Sequence, residues 1–138
     1  MADLNPPSST IPRPVFIVSD GTAITAETLA QAVLTQFPNL NYEQRRIPFV
    51  DTVEKAVATA DRINLVQEKT GMRPLVFSTF SRKSISNAFC DECTGFVSEL
   101  FRSFVNPLEE ELGMKSSHQV GMTHRIRNEE NYDRRIAA

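Results

Sequence analysis

The chain has little of what marks several large functional classes. Only two cysteines, Cys90 and Cys93, occur in 138 residues. That is too few for a disulfide-stapled secreted scaffold, and reduced thiols in a cytoplasmic protein are the plain expectation. No apolar run approaches the roughly 20 residues that a spanning helix needs, so no membrane role is expected. The opening Met1-Ala2-Asp3-Leu4-Asn5 has no positive stretch followed by an apolar one, so no secretion signal is expected. A formal net charge of -2 offers no basic excess for nucleic acid or an anionic membrane surface. No G-x-x-x-x-G-K-[ST] stretch is present, and no internal repeat is visible. Gly113-Met114-Lys115-Ser116 comes near the first of these, but it follows a helical pattern, lacks the upstream glycine and reads as a helix stop.

What remains is an ordinary globular mixture, 41% hydrophobic and 23% charged, at a length that suits a real core. Residues 1–13 hold Pro6, Pro7 and Pro12 with Ser8, Ser9 and Thr10 between them. Such a stretch buries too little apolar surface to offset its ordering entropy, and a disordered tail is expected. Val15-Phe16-Ile17-Val18 is a continuous apolar run, which fits a strand buried on both faces of a parallel sheet. Ser19-Asp20-Gly21-Thr22 follows as a tight turn in which Gly21 can take positive φ. Ala26, Leu29, Ala30, Val33, Leu34 and Phe37 then share one helical face, with Thr22 or Thr25 as cap and Glu27 near the positive end.

A second unit runs from a strand at 42–50, with Ile47 and Phe49 on one face, into a helix carrying Val53, Ala56, Val57, Ala60 and Ile63. Pro48 removes a ladder donor and puts that strand at a sheet edge. Asp51 and Glu54 have the spacing of a capping box, and Lys69-Thr70-Gly71 is a helix stop. Pro74 to Ser78 reads as strand three, residues near Arg82 to Phe89 as a short helix, and Gly95 to Ser98 as strand four. Phe101, Phe104, Val105, Leu108 and Leu112 form a last stripe. Pro107 either kinks that helix or opens a new one after an Asn106 cap, and Gly113 ends it. The alternation implies a three-layer α/β fold: a four-stranded parallel sheet, order 2-1-3-4, with helices on both faces. The expected organisation is a tail over 1–13 and an α/β domain over 14–127. Residues 128–138 then begin a helix, with Tyr132 and Ile136 one turn apart, which stops without a cap or breaker and suggests a longer parent chain.

In open α/β sheets ligands bind beyond the carboxyl ends of the strands, near the switch point. The turn Ser19, Asp20, Gly21, Thr22, together with Thr25, is therefore the candidate ligand-binding site. Backbone N–H groups and hydroxyls there attract anions, whereas Asp20 repels them and fits a metal ligand, a general base or a helix cap. A capped turn with no ligand explains the same residues. Ser81-Arg82-Lys83-Ser84 lies on the same side and also suits a helix-start loop. Cys90-Asp91-Glu92-Cys93 lies too deep in the chain for a thioredoxin-type pair and too far from His118 and His124 for a standard finger, so half-buried free thiols are expected and no metal site is assigned. His124, Arg134 and Arg135 belong to a basic stretch that suits contact with a phosphate or an acidic partner, or a solvated helix face.

Several stretches carry a family resemblance. They are Ser19-Asp20-Gly21-Thr22-Ala23-Ile24-Thr25-Ala26-Glu27-Thr28-Leu29, Gln36-Phe37-Pro38, Pro48-Phe49-Val50, Thr70-Gly71-Met72-Arg73-Pro74-Leu75-Val76-Phe77, Pro107-Leu108-Glu109 and Tyr132-Asp133-Arg134-Arg135-Ile136-Ala137-Ala138. In this order they resemble the N-terminal portion of the phosphoenolpyruvate synthase regulatory proteins, relatives of the pyruvate, phosphate dikinase regulatory proteins. The resemblance implies a bifunctional serine/threonine kinase and phosphorylase. Such a protein uses ADP to phosphorylate a threonine of phosphoenolpyruvate synthase and inactivate it. It removes that phosphate with inorganic phosphate, forming pyrophosphate. Full members are about twice as long (a size that suits two domains) and carry a P-loop in the second half, which has no counterpart here. No catalytic residue is therefore carried over, no tightly bound ADP or phosphate is expected on these residues, and they are expected to be inactive alone. A non-catalytic docking module, or one that holds two protomers together as a homodimer, is the alternative.

Overall fold

A computed structural model describes residues 11–117. The expected disorder of residues 1–10, the last part of the expected domain (118–127), the terminal helix, His118 and His124, and Arg134 and Arg135 lie outside the described residues. Elements follow in the order β1 (Arg13–Ser19), α1 (Ile24–Leu34), β2 (Tyr42–Ile47), α2 (Val53–Thr70), β3 (Leu75–Thr79), α3 (Lys83–Glu92) and β4 (Phe96–Glu99). A π-helical turn over Phe101–Val105 then runs directly into α4 (Asn106–Leu112). The four strands form one all-parallel sheet in the order β2-β1-β3-β4, as the alternation implies.

Alternation along β1 divides the core between the two faces. Val15 and Ile17 meet Ala26, Ala30 and Leu34 of α1 and Phe77 of β3. Phe16 and Val18 face the other way, onto Ala56, Ala60 and Ile63 of α2 and Ile85 and Phe89 of α3. The small residues on α1 and α2 let each helix lie close to the sheet. Phe89 is fully buried and stacks at a tilt on Phe80, with ring centroids 5.2 Å apart. Truncating such a buried phenylalanine to alanine costs about 3–5 kcal/mol, because the cavity adds to the lost transfer energy.

β1 begins one residue earlier than expected, at Arg13, because its N–H donates to Asn41 O and its guanidinium to Arg73 O. β2 is the edge strand, but it ends at Ile47 rather than Val50. Pro48 cannot continue the ladder, and Phe49 turns to φ 61° with its ring exposed, away from Ile47. α2 is capped by Thr52, whose hydroxyl accepts from Lys55 N–H, while Asp51 pairs with the Lys55 ammonium instead of acting as the cap. Gly71 and Gly113 stop α2 and α4 in the left-handed region. Of the stripe foreseen on α1, Val33 lies on the helix but away from its buried Ala26, Ala30 and Leu34 side, and Phe37 is exposed because the helix ends at Leu34 and leaves it in the turn beyond. Pro107 neither kinks the last helix nor follows an Asn106 cap. The π turn precedes it, Val105 takes the cap position, and the proline sits within the first turn, where its missing N–H costs nothing. Phe101 is the only buried residue of the last stripe, while Phe104, Leu108 and Leu112 face outward.

Candidate functional site at the carboxyl ends of the strands

The direction in which strands are added reverses between β1 and β3, since β2 lies on one side of β1 and β4 on the far side of β3. That point is where open α/β sheets bind ligands. The loops leaving β1, β2 and β3 meet there. Phe49 N–H donates to Gly21 O and Val50 N–H to Ser19 O, at 2.8 and 2.9 Å, which folds the β2 loop over the first turn. Asp20 fastens the other side: its Oδ2 accepts from Ser81 N–H at 2.9 Å and from Ser81 Oγ–H at 2.8 Å. The carboxylate thus works as a clasp between the β1 and β3 loops.

The candidate residues separate by role in this geometry. Ser19 is buried, and its hydroxyl is used inside the fold. It donates to Thr79 O and accepts from Gly21 N–H and Thr79 Oγ–H. Thr22 is exposed, and its Oγ accepts only a long 3.4 Å bond from Ile24 N–H, so it does not cap α1 strongly. Thr25 is half-buried on the first turn of α1 and is not the cap either. The cap position belongs to Ala23, at φ 75°, and Gly21 is not among the positive-φ residues. A left-handed alanine costs roughly 1–2 kcal/mol relative to ordinary backbone. Its methyl is 2% exposed within the α1 core, and that burial offsets part of the cost. Ala23 and Phe49, the two non-glycine residues with positive φ among the described residues, both stand at this site. Strain of this kind clusters where function requires a particular backbone shape. Glu27 lies in the first turn of α1, as foreseen, and reaches β2 through Arg46 and Gln44.

A second feature was not legible in the sequence. Glu99, the last residue of β4, is 2% exposed. Its Oε2 accepts from Phe80 N–H and its Oε1 from Arg102 N–H, so it ties the β3 loop to the π turn. Burial pushes its carboxyl above the ordinary value, against the lowering effect of these N–H groups. Beside it opens a cleft of about 310 Å3, walled by Ser81, Lys83, Ser86 and Asn87 on one side and Arg102 and Asn106 on the other. Cys90 and Cys93 are free and half-buried, and burial raises both thiols above their ordinary range. Among the described residues no group of three or more His, Cys, Asp or Glu side chains could hold a metal ion, and no helix is long and apolar enough to cross a membrane.

A parallel three-layer sheet whose loops converge over polar strand ends defines the class: an α/β protein built around a ligand-side face. The sequence profile of the family described as Kinase/pyrophosphorylase matches residues 15–138, and the chain belongs to that family. It is 44% identical over 126 residues to a phosphoenolpyruvate synthase regulatory protein of Stutzerimonas stutzeri, covering 91% of this chain and 46% of the relative. A protein of the same name from Paraburkholderia phytofirmans is 46% identical over 128 residues, covering 93% and 46%. One from Bordetella avium is 44% identical over 131 residues, covering 95% and 47%. The chain therefore spans about half the length of the curated relatives it matches.

Proposed function

We propose that these residues form the N-terminal α/β domain of a bifunctional regulator of phosphoenolpyruvate synthase. The whole regulator phosphorylates a threonine of the synthase with ADP and removes that phosphate with inorganic phosphate, releasing pyrophosphate. Phosphoryl transfer depends on positioned cations and backbone donors around the transferred group. The P-loop that would cradle a nucleotide is missing from this sequence, so the 138 residues alone transfer no phosphate and bind ADP weakly at most. Their part is to present the clasped Ser19–Thr22 turn and its neighbours as one wall of the working site. The match of the family profile across residues 15–138 carries this reading.

A second reading, a docking or dimerisation module without a share in the chemistry, is favoured by one observation. Phe104, Leu108 and Leu112 stand 53%, 55% and 62% exposed at helical spacing. Calorimetric titration separates the two. Weak ADP binding that disappears in Asp20→Ala and Thr22→Ala supports a wall of the site. Synthase binding without any nucleotide response supports docking. Tight ADP binding by this chain would contradict both.

A further inference from the structure

Five apolar residues near the end of the described chain keep the spacing of one α-helical face. Phe101, Phe104, Val105, Leu108 and Leu112 fall at i, i+3, i+4, i+7 and i+11. In an unbroken α-helix all five would share the side on which Phe101 is buried. The structure divides them: Phe101 is buried, whereas Phe104, Leu108 and Leu112 are exposed. The π turn is the cause. There Asn106 N–H donates to Phe101 O, five residues back, where an α-helix would use Val105 N–H. One residue is thereby added to the turn, and the helix beyond it is rotated by about 100° relative to Phe101. Opposed preferences meet at this point. Pro107 disfavours the unbroken helix, because its ring would run into the Ser103 carbonyl and it has no N–H to offer that oxygen. The π turn avoids this conflict but leaves the stripe in water, and Asn106 Oδ1 is buried without a partner among the described residues. α4 has no buried residue of its own, so no packed side chain on it resists rotation. The start of the helix is held separately: Glu99 Oε1 accepts from Arg102 N–H at 3.0 Å, and Asn87 Oδ1 accepts from Arg102 Nη2 at 2.7 Å.

We propose that the π turn is a register switch that presents or withdraws the stripe of Phe104, Leu108 and Leu112. In the presented state, the observed one, Phe101 O accepts from Asn106 N–H. In the withdrawn state Phe101 O accepts from Val105 N–H, and Asn106 N–H moves to Arg102 O. Glu99 and Asn87 hold Arg102 in place while α4 rotates by about 100°. That rotation carries Phe104, Leu108 and Leu112 to the Phe101 side of the helix, against the domain. Shifts of this kind pass between two discrete packings and not through a continuum. A contact made by the exposed stripe holds the presented state, because it is available in that register alone. The device belongs to the helix itself and requires neither nucleotide nor synthase. Its failure would leave the family membership and the proposed phosphotransfer role untouched.

The test is NMR on the uniformly labelled full chain. Relaxation dispersion should show exchange on the μs–ms scale with one common rate across residues 101–112, and no exchange at that rate in β1 or α2. Pro107→Ala removes the ring and restores an N–H, so the register equilibrium should move toward the withdrawn state by about tenfold or more. Two readouts report it. A soluble paramagnetic agent should attenuate the side-chain signals of Phe104, Leu108 and Leu112 less than in the parent. The scalar coupling across the hydrogen bond at Phe101 O should pass from Asn106 N–H to Val105 N–H. Leu108→Lys acts in the opposite sense: a charge on the stripe resists turning inward, so the exchange should vanish while the fold is kept. Flat dispersion across residues 101–112, a Pro107→Ala chain whose stripe stays as exposed as the parent's, or a Leu108→Lys chain that exchanges as before would each overturn the switch.

Discussion

Replacing Asp20 with alanine should loosen the ligand-side face without unfolding the protein. The carboxylate holds Ser81 through two bonds, at 2.9 and 2.8 Å, linking loops that are 61 residues apart in sequence. A hydrogen bond to a charged group contributes about 1.5–3 kcal/mol. The site is only part-buried, and the freed Ser81 hydroxyl can turn to water, so the backbone N–H dominates the loss. The expected destabilisation is about 2 kcal/mol. For a domain of this size that is a fall of roughly 8 °C in the thermal midpoint. Asp20→Asn keeps the shape and one acceptor and should lose about half as much. Urea denaturation with an unchanged slope is the assay, and a double-mutant cycle with Ser81→Ala isolates the hydroxyl bond, the smaller of the two. Coupling of about 0.5 kcal/mol is expected from it. An Asp20→Ala chain within about 0.5 kcal/mol of the parent would refute the clasp.

Three further outcomes follow from the same geometry. Thr52→Ala removes the side-chain cap of α2 and should cost about 1 kcal/mol in chemical denaturation, whereas Asp51→Ala should cost less, since its partner is an exposed lysine. Gly95→Ala places a methyl 3.0 Å from Pro74 O and 3.2 Å from Val76 Cγ2, so overpacking of about 1–3 kcal/mol is expected in the same assay. Glu99 holds its proton more tightly in the folded chain than its ordinary 4.5, so the stability it carries is intact below that pH and falls as pH rises through the window up to the raised value. Glu99→Gln cannot ionise, and its stability deficit relative to the parent should therefore shrink as pH rises above 4.5; a deficit independent of pH would show that burial does not govern this carboxyl.

The layered architecture was legible because it rests on local signals. The apolar run of β1, the helical stripes, Pro48 as the mark of an edge strand and Gly71 after α2 each act within a few residues of themselves, and together they yield the order 2-1-3-4. The site was legible only in outline. Its position follows from the Ser19–Thr22 turn, but the partnership of Asp20 with Ser81 and of Glu99 with Phe80 joins residues distant in sequence, and no spacing announces it. The left-handed Ala23 was hidden because Gly21 offered the cheaper place for positive φ. What decides the matter is burial: the Ala23 methyl is held in the α1 core. Phe104, Leu108 and Leu112 have core periodicity, yet the described residues place nothing over them, so their pattern foretold a stripe but not its burial.

The central claim is that these 138 residues build the α/β partner of a phosphotransfer site and not the nucleotide cradle itself. Its most direct test is to incubate the purified chain with ADP, magnesium and phosphohistidine-form phosphoenolpyruvate synthase, and to read phosphothreonine on the synthase by mass spectrometry. The account predicts none above a no-protein control; threonine phosphorylation that grows with the concentration of this chain would contradict it.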